Sequence, residues 1–209
     1  DKNKLKNPAR NLSGDGMGHI SVTSLPVALV ALGANLPSVA GPPQATLHGA
    51  LSRMADSGLR VGAVSRFYAT PCFPAGAGPD YVNAAVRVDD PPEPLDLLQA
   101  LHRIEAEFGR ARQQRWGTRT LDLDLIALGD RVLPDRATHD RWRDLPSETQ
   151  RHATPDRLVL PHPRLQDRAF VLVPLAEIAP EWRHPLLGRS VREMADALPM
   201  HEKDAVTPL

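Results

Sequence analysis

The sequence predicts an α/β (α+β) protein, a ferredoxin-like α-β-α sandwich with a mainly antiparallel sheet, from three observations. Apolar stretches follow the order strand, helix, two strands, helix, strand and then helices, which is the split βαβ arrangement. The strand candidates are short and bounded by Gly, Pro and Asn, whereas the helical candidates repeat at i, i+3, i+4 and i+7. A chain of 209 residues with 42% hydrophobic content encloses one compact core, so one domain over residues 27–209 is expected.

The elements follow in order. Val27 to Leu32 is wholly apolar and suits a buried central strand, closed by a turn at Gly33-Ala-Asn35. Leu47, Ala50, Leu51 and Met54 lie on one face of a helix that Gly58 ends. Val61 to Tyr68 and Tyr81 to Val88 read as two strands joined by a Pro- and Gly-rich loop from Thr70 to Asp80. Pro94 opens a second helix that buries Leu97, Leu101, Ile104 and Phe108 before Gly109. In Thr120 to Leu128 the alternation puts Leu121, Leu123 and Leu125 on one strand face and Asp122 and Asp124 on the other. Residues 131–156 carry mixed charge without a period and predict a mobile surface insertion. Phe170 to Ile178 and Ser190 to Leu198 read as closing helices, the second opened by a Ser190/Glu193 capping box.

Composition excludes several classes. Lys plus Arg and Asp plus Glu both number 25, so no global field draws nucleic acid or an anionic membrane, and any anion site is local. The single Cys72 excludes an internal disulfide and a multi-Cys zinc site, and is expected to be buried and inert. No run reaches the roughly 18 to 20 apolar residues of a membrane-spanning helix. A cytoplasmic monomer is the default expectation. Residues 1–26 are polar, lack the apolar block of a secretory signal, and read as a disordered extension or an expression remnant, with Met17 a candidate start.

The sharpest chemical signal runs from Arg110 to Asp124, where Arg110, Arg112, Arg115 and Arg119 precede Asp122 and Asp124 with no intervening acid. Carboxylates two residues apart on a strand stand roughly 6 to 7 Å apart at Cα, a spacing able to bridge two Mg²⁺ ions about 3.5 to 4 Å apart. Mg²⁺ is held in this way, by few carboxylates together with substrate phosphates. A planar guanidinium grips two phosphate oxygens and stays charged throughout, and Gly117 lets the arginine segment close over a nucleotide. Taken alone, Leu-Asp-Leu-Asp-Leu is an ordinary half-buried strand and an arginine run is an ordinary solvated face. Within fifteen residues of each other they favour a polyphosphate site.

Arg115-Trp-Gly-Thr-Arg-Thr-Leu-Asp-Leu-Asp-Leu-Ile126 closely resembles the signature of the 6-hydroxymethyl-7,8-dihydropterin pyrophosphokinase family of folate biosynthesis. Leu32-Gly-Ala-Asn-Leu36, Ser65-Arg-Phe-Tyr-Ala-Thr-Pro71, Pro79-Asp-Tyr-Val-Asn-Ala-Ala85, Leu160-Pro-His-Pro-Arg-Leu165 and Arg168-Ala-Phe-Val-Leu172 match in the same order, so the resemblance spans roughly Val27 to Leu198. It implies transfer of the β,γ-diphosphate of ATP to 6-hydroxymethyl-7,8-dihydropterin with release of AMP. It implies two Mg²⁺ ions on Asp122 and Asp124, with Arg110 and Arg119 catalytic. Glu105, Arg112, Trp116, Leu125, Arg157, His162 and Arg168 fall at ATP positions, and Thr70, Pro71, Phe73, Tyr81, Asn83, Trp116 and Phe170 at pterin positions. Aromatic faces and an amide suit a flat bicyclic ring with polar edges.

Cys72 and Ala75-Gly-Ala-Gly78 depart from the more polar pattern of many members, and Pro134 to Thr154, with His139, Trp142 and His152, is an insertion relative to compact ones. The histidine spacing there fits no metal-ligand pattern. A non-catalytic nucleotide- or pterin-binding homologue and a different phosphotransferase are the alternative readings.

Overall fold

The computed structural model describes residues 26–72, 76, 78–109, 120–146, 148–149 and 153–209. Their strands are β1 (Val27–Ala34), β2 (Arg60–Val64), β3 (Tyr68–Thr70), β4 (Tyr81–Asp89), β5 (Asp122–Leu128) and β6 (Thr207–Pro208). Their helices are α1 (Pro43–Asp56), α2 (Pro94–Glu107), α3 (Arg136–Arg143), α4 (Ala169–Ile178), α5 (Val191–Asp196) and α6 (Met200–Asp204), with a 3₁₀ turn at Leu165–Asp167. The sheet order is β5-β1-β4-β3-β6, with β2 also on β4, and every pairing is antiparallel. Placing β4 between β1 and β2 is what the split βαβ reading requires.

Two apolar layers sandwich the sheet. Leu47, Ala50 and Met54 of α1 and Leu97, Leu101 and Ile104 of α2 cover one face, meeting Val30, Leu32, Val86, Leu123 and Leu125. Val171, Leu172 and Leu175 of α4 and Val191 and Met194 of α5 cover the other, meeting Leu29, Ala31, Ala85 and Ile126. Each fully buried Leu or Val side chain contributes about 1.5–3 kcal/mol from apolar area removed from water. Buried on both faces, β1 needs the unbroken apolar run that its sequence shows. The Ser190/Glu193 capping box opens α5 as expected: Glu193 N–H donates to Ser190 Oγ at 3.1 Å and Ser190 N–H to Glu193 Oε2 at 2.7 Å. Gly58 (φ 88°) and Gly109 (φ 83°) take the left-handed conformation past α1 and α2.

Three expectations are corrected. Gly33 and Ala34 do not form a turn but continue β1, because Gly33 pairs with Asn83 on one side and Asp122 on the other. Val61 to Tyr68 is not one strand. Ser65, Arg66 and Phe67 stand opposite only Ala84 and Ala85, so one extra residue breaks the ladder, and the Ser65 hydroxyl takes the Ala85 N–H at 2.9 Å in place of a backbone carbonyl.

The third concerns the insertion, which holds helix α3 where a mobile loop was expected. Asp135 caps it by accepting from Thr138 N–H at 2.8 Å. It docks through His139, which is fully buried and lies edge-on to the equally buried His184, with ring centroids 5.6 Å apart. Burial is the main cause that pushes His184 down to about 4, with neighbouring His139 the next, and burial lowers His139 as well, so both rings are neutral at pH 7. His152 lies outside the described residues. Among the described residues, no helix is long and apolar enough to cross a membrane, and Cys72 is buried.

Candidate active site

Register places Asp122 and Asp124 on the face that α4 covers. Asp122 stands opposite Gly33 and Asp124 opposite Ala31, and these in turn stand opposite Asn83 and Ala85 on β4. Directly paired residues share a face, and Ala31 and Ala85 pack with α4. One row therefore reads Asp122, Gly33, Asn83, Tyr68 across four strands. Strand spacing puts Asp122 and Asn83 about 10 Å apart, with only a glycine between them. A Cβ on Gly33 would lie 3.0 Å from Asn83 Oδ1 and 3.8 Å from Tyr81 Cδ1. The floor between acid and amide is bare backbone.

Asn83 is oriented by a buried bond: its Nδ2 donates to Thr70 Oγ1 at 2.6 Å. That leaves Oδ1, an acceptor, over Gly33. Tyr81 pairs with Thr70 across β4 and β3, so both ends of the 71–80 loop sit here. Asn35, buried just past β1, donates from Nδ2 to the Pro79 carbonyl at 3.1 Å and ties that loop down. Pro71 is exposed at its start.

The charged side is built on β5, an edge strand with a bulge. Leu29 pairs with Ala127 and Val30 with Leu125, so Ile126 is the extra residue. Its carbonyl accepts the His162 N–H at 2.7 Å, and the Leu123 N–H donates to Glu105 Oε1 at 2.7 Å. Both bonds cover the open edge. Glu105, 1% exposed, thus ties α2 to the strand between the two aspartates.

Arg168, at the N-terminus of α4, brings Nη1 to 4.0 Å from Asp124 Oδ2 and lays its guanidinium 5.7 Å from the centre of the Phe170 ring. Phe170 is 39% exposed, unlike the core residues of its helix. His162 Nδ1 accepts the Arg164 N–H at 3.1 Å, which puts the ring proton on Nε2. Burial, and next the nearby Arg168, push His162 down to about 3, so the ring is neutral.

The described structure therefore brings together Asp122, Asp124, Asn83, Thr70, Tyr81, His162, Arg168 and Phe170. The Leu125 side chain points away from this face: alternation turns it into the α1/α2 layer, where it is buried. Arg157 is exposed and paired at 3.5 Å with its neighbour Asp156, and among the described residues no hydrogen bond or ion pair ties it to the site. Phe73, Arg110, Arg112, Trp116 and Arg119 lie outside the described residues. Sequence reasoning missed Gly33 as a floor and Asn35 as a loop tie. A glycine inside an apolar strand is the signal that marks the first.

The donor set suits magnesium. Two hard carboxylates share a strand face, and the Asp124 side chain is 39% exposed. Mg²⁺ asks for this, one or two carboxylates with the remaining positions left to water and phosphate.

Comparison with known proteins gives concordant matches. The model of a family described as 7,8-dihydro-6-hydroxymethylpterin-pyrophosphokinase (HPPK) matches residues 29–180. A curated relative from Synechocystis sp. is 38% identical over 185 residues, covering 86% of this chain and 82% of its own. Another from Pseudomonas aeruginosa is 41% identical over 170 residues, covering 81% and 90%. Both are named 2-amino-4-hydroxy-6-hydroxymethyldihydropteridine pyrophosphokinase. Among solved structures, wild-type HPPK-DHPS of Plasmodium falciparum matches with a TM-score of 0.54 at 14% identity, covering 82% of this chain and 44% of that one. An HPPK-DHPS solved in complex with substrates matches with a TM-score of 0.57 at 12% identity. These likenesses concern the fold, and the chain spans less than half of those longer proteins.

Proposed function

The chain belongs to the 7,8-dihydro-6-hydroxymethylpterin-pyrophosphokinase family, and from that premise we propose that the face shared by β5, β1 and β4 is where its two substrates meet. Its activity is that of the family: the β,γ-diphosphate of ATP passes to the hydroxymethyl group of 6-hydroxymethyl-7,8-dihydropterin, in folate biosynthesis, and AMP leaves. The observation that carries the site assignment is the row Asp122, Gly33, Asn83, in which a carboxylate and an oriented amide flank a bare floor.

The pterin end is built from Asn83, Thr70, Tyr81 and Phe170. Asn83 Oδ1, held over Gly33, accepts from the donor edge of the pterin, and the exposed Phe170 ring offers a face to its plane. Phe73 and Trp116 belong to the same proposal. The phosphate end is built from Arg168, the neutral His162 as an Nε2–H donor, and Asp122 and Asp124, with Arg110, Arg112 and Arg119 contributing further cations. Asp122 and Asp124 would hold two Mg²⁺ ions, which when bound supply charge neutralisation at the phosphate oxygens. The pterin hydroxyl oxygen forms a bond to the β-phosphorus as the bond from that phosphorus to the α,β-bridging oxygen breaks. The hydroxyl proton is released, and the leaving oxygen departs on AMP. Arg168 ties the two ends together, because it stands beside both Asp124 and Phe170, so positioning carries most of the catalysis.

Nucleotide products separate this reading from the alternatives. With ATP, Mg²⁺ and 6-hydroxymethyl-7,8-dihydropterin, the protein is expected to release AMP in equal amount to diphosphorylated pterin. ADP would indicate a single-phosphoryl kinase, and no pterin-dependent nucleotide product would indicate a binding protein.

A further inference from the structure

The peptide unit between Pro161 and His162 is held at both of its polar ends. Its N–H, on His162, donates to the Ile126 carbonyl of β5 at 2.7 Å. Its C=O, on Pro161, is paired with His139 Nε2 of α3 at 2.9 Å. A carbonyl only accepts, so His139 carries its proton on Nε2. His139 is wholly buried, and the helix bearing it starts from the Asp135 cap. Pro161 and Pro163 lack an N–H, which leaves this segment few backbone anchors. Leu160, before it, is tied by paired bonds to Leu133 at 2.9 and 3.0 Å.

Holding a planar peptide by both polar ends fixes the orientation of its plane, and so restricts the direction in which the His162 side chain leaves the backbone. From that start Arg164 N–H orients the ring through Nδ1, and the His162 carbonyl accepts Leu165 N–H at 3.0 Å, opening the turn that ends at Arg168. One clamp is the strand that carries Asp122 and Asp124. The other comes from α3.

We propose that His139 is a positioning residue for the nucleotide: by holding the Pro161 carbonyl it sets His162, and the turn leading to Arg168, in the orientation that ATP meets. The inference rests on the assignment of His162 to the phosphate end. Hydrogen-bond partners one step behind metal ligands govern affinity or activity at about 10- to 100-fold when removed, and His139 stands in the same relation to His162.

Steady-state kinetics on two variants tests it. In His139→Asn the amide is too short to reach the Pro161 carbonyl, whereas in His139→Gln an amide N–H stands near the place of Nε2. His139→Asn is expected to raise KM for ATP about tenfold, with kcat and KM for the pterin within about twofold of wild type. His139→Gln is expected to restore KM for ATP to within about twofold. Equal KM for ATP in both variants and wild type overturns the proposal, as does a loss spread evenly over kcat and both KM values. If His139→Asn does not fold, Asp135→Ala loosens α3 from its exposed cap and is expected to raise KM for ATP about two- to threefold with KM for the pterin unchanged. An unchanged KM for ATP in that variant overturns the proposal too. Wild-type protein that forms no AMP would instead overturn the function itself, so the two failures are distinct.

Discussion

Asp124→Asn is expected to lose about a thousandfold in kcat, some 4 kcal/mol of transition-state stabilisation, with its melting midpoint within a few degrees of wild type. Asn keeps the shape of Asp and can still face solvent, but it removes the charge that makes the oxygen a ligand for a hard cation. The fold does not need that charge. The Asp124 side chain is 39% exposed, its ion pair with Arg168 reaches 4.0 Å, and Asp122 stands two residues away on the same face. Two like charges on one strand face repel, so neutralising one is neutral or mildly stabilising. Asp122→Asn is expected to behave alike. Loss of activity without loss of stability marks a functional carboxylate, and kcat within about tenfold of wild type would sink the assignment.

Gly33→Val is expected to lower kcat/KM for the pterin about a hundredfold while leaving KM for ATP within about threefold. A β-branched residue suits a central strand, and the Gly33 backbone is not in the left-handed region that only glycine favours. The obstruction is local: Cβ alone would come to 3.0 Å from Asn83 Oδ1, and the two γ-methyls of Val occupy the gap between Asn83 and Asp122. Asn83 cannot yield easily, because its Nδ2 is committed to Thr70 at 2.6 Å. Gly33→Ala is expected to fall between the two. A Gly33→Val protein that is folded by circular dichroism and retains wild-type kcat/KM would remove the pterin from this floor.

The pattern of the sequence was legible wherever one kind of period acts over several residues. Alternation in Thr120 to Leu128 put both aspartates on one face, and register adds that this face is the one α4 covers. The same alternation turns the Leu125 side chain into the opposite layer. The break between β2 and β3 was not legible, because it depends on a one-residue mismatch with a partner strand that Ser65 accommodates with its hydroxyl. Helix α3 escaped because it buries a neutral histidine where a period search counts apolar residues. Glu105 accepts the Leu123 amide of an edge strand that only the tertiary fold brings to it. Gly33 lies within Leu32-Gly-Ala-Asn-Leu36, and its role as a floor depends on Asn83 and Asp122 standing on either side, which only strand pairing sets.

The assignment of Asp122 and Asp124 to the metal end is tested most directly by the affinity for a non-hydrolysable ATP analogue, measured calorimetrically with and without Mg²⁺. Wild-type protein is expected to bind the analogue at least about tenfold more tightly with Mg²⁺, and the Asp122→Asn/Asp124→Asn double variant less than about twofold more tightly. An equal gain from Mg²⁺ in both proteins would contradict the account, because the ions would then be held by phosphate and by residues other than these two aspartates.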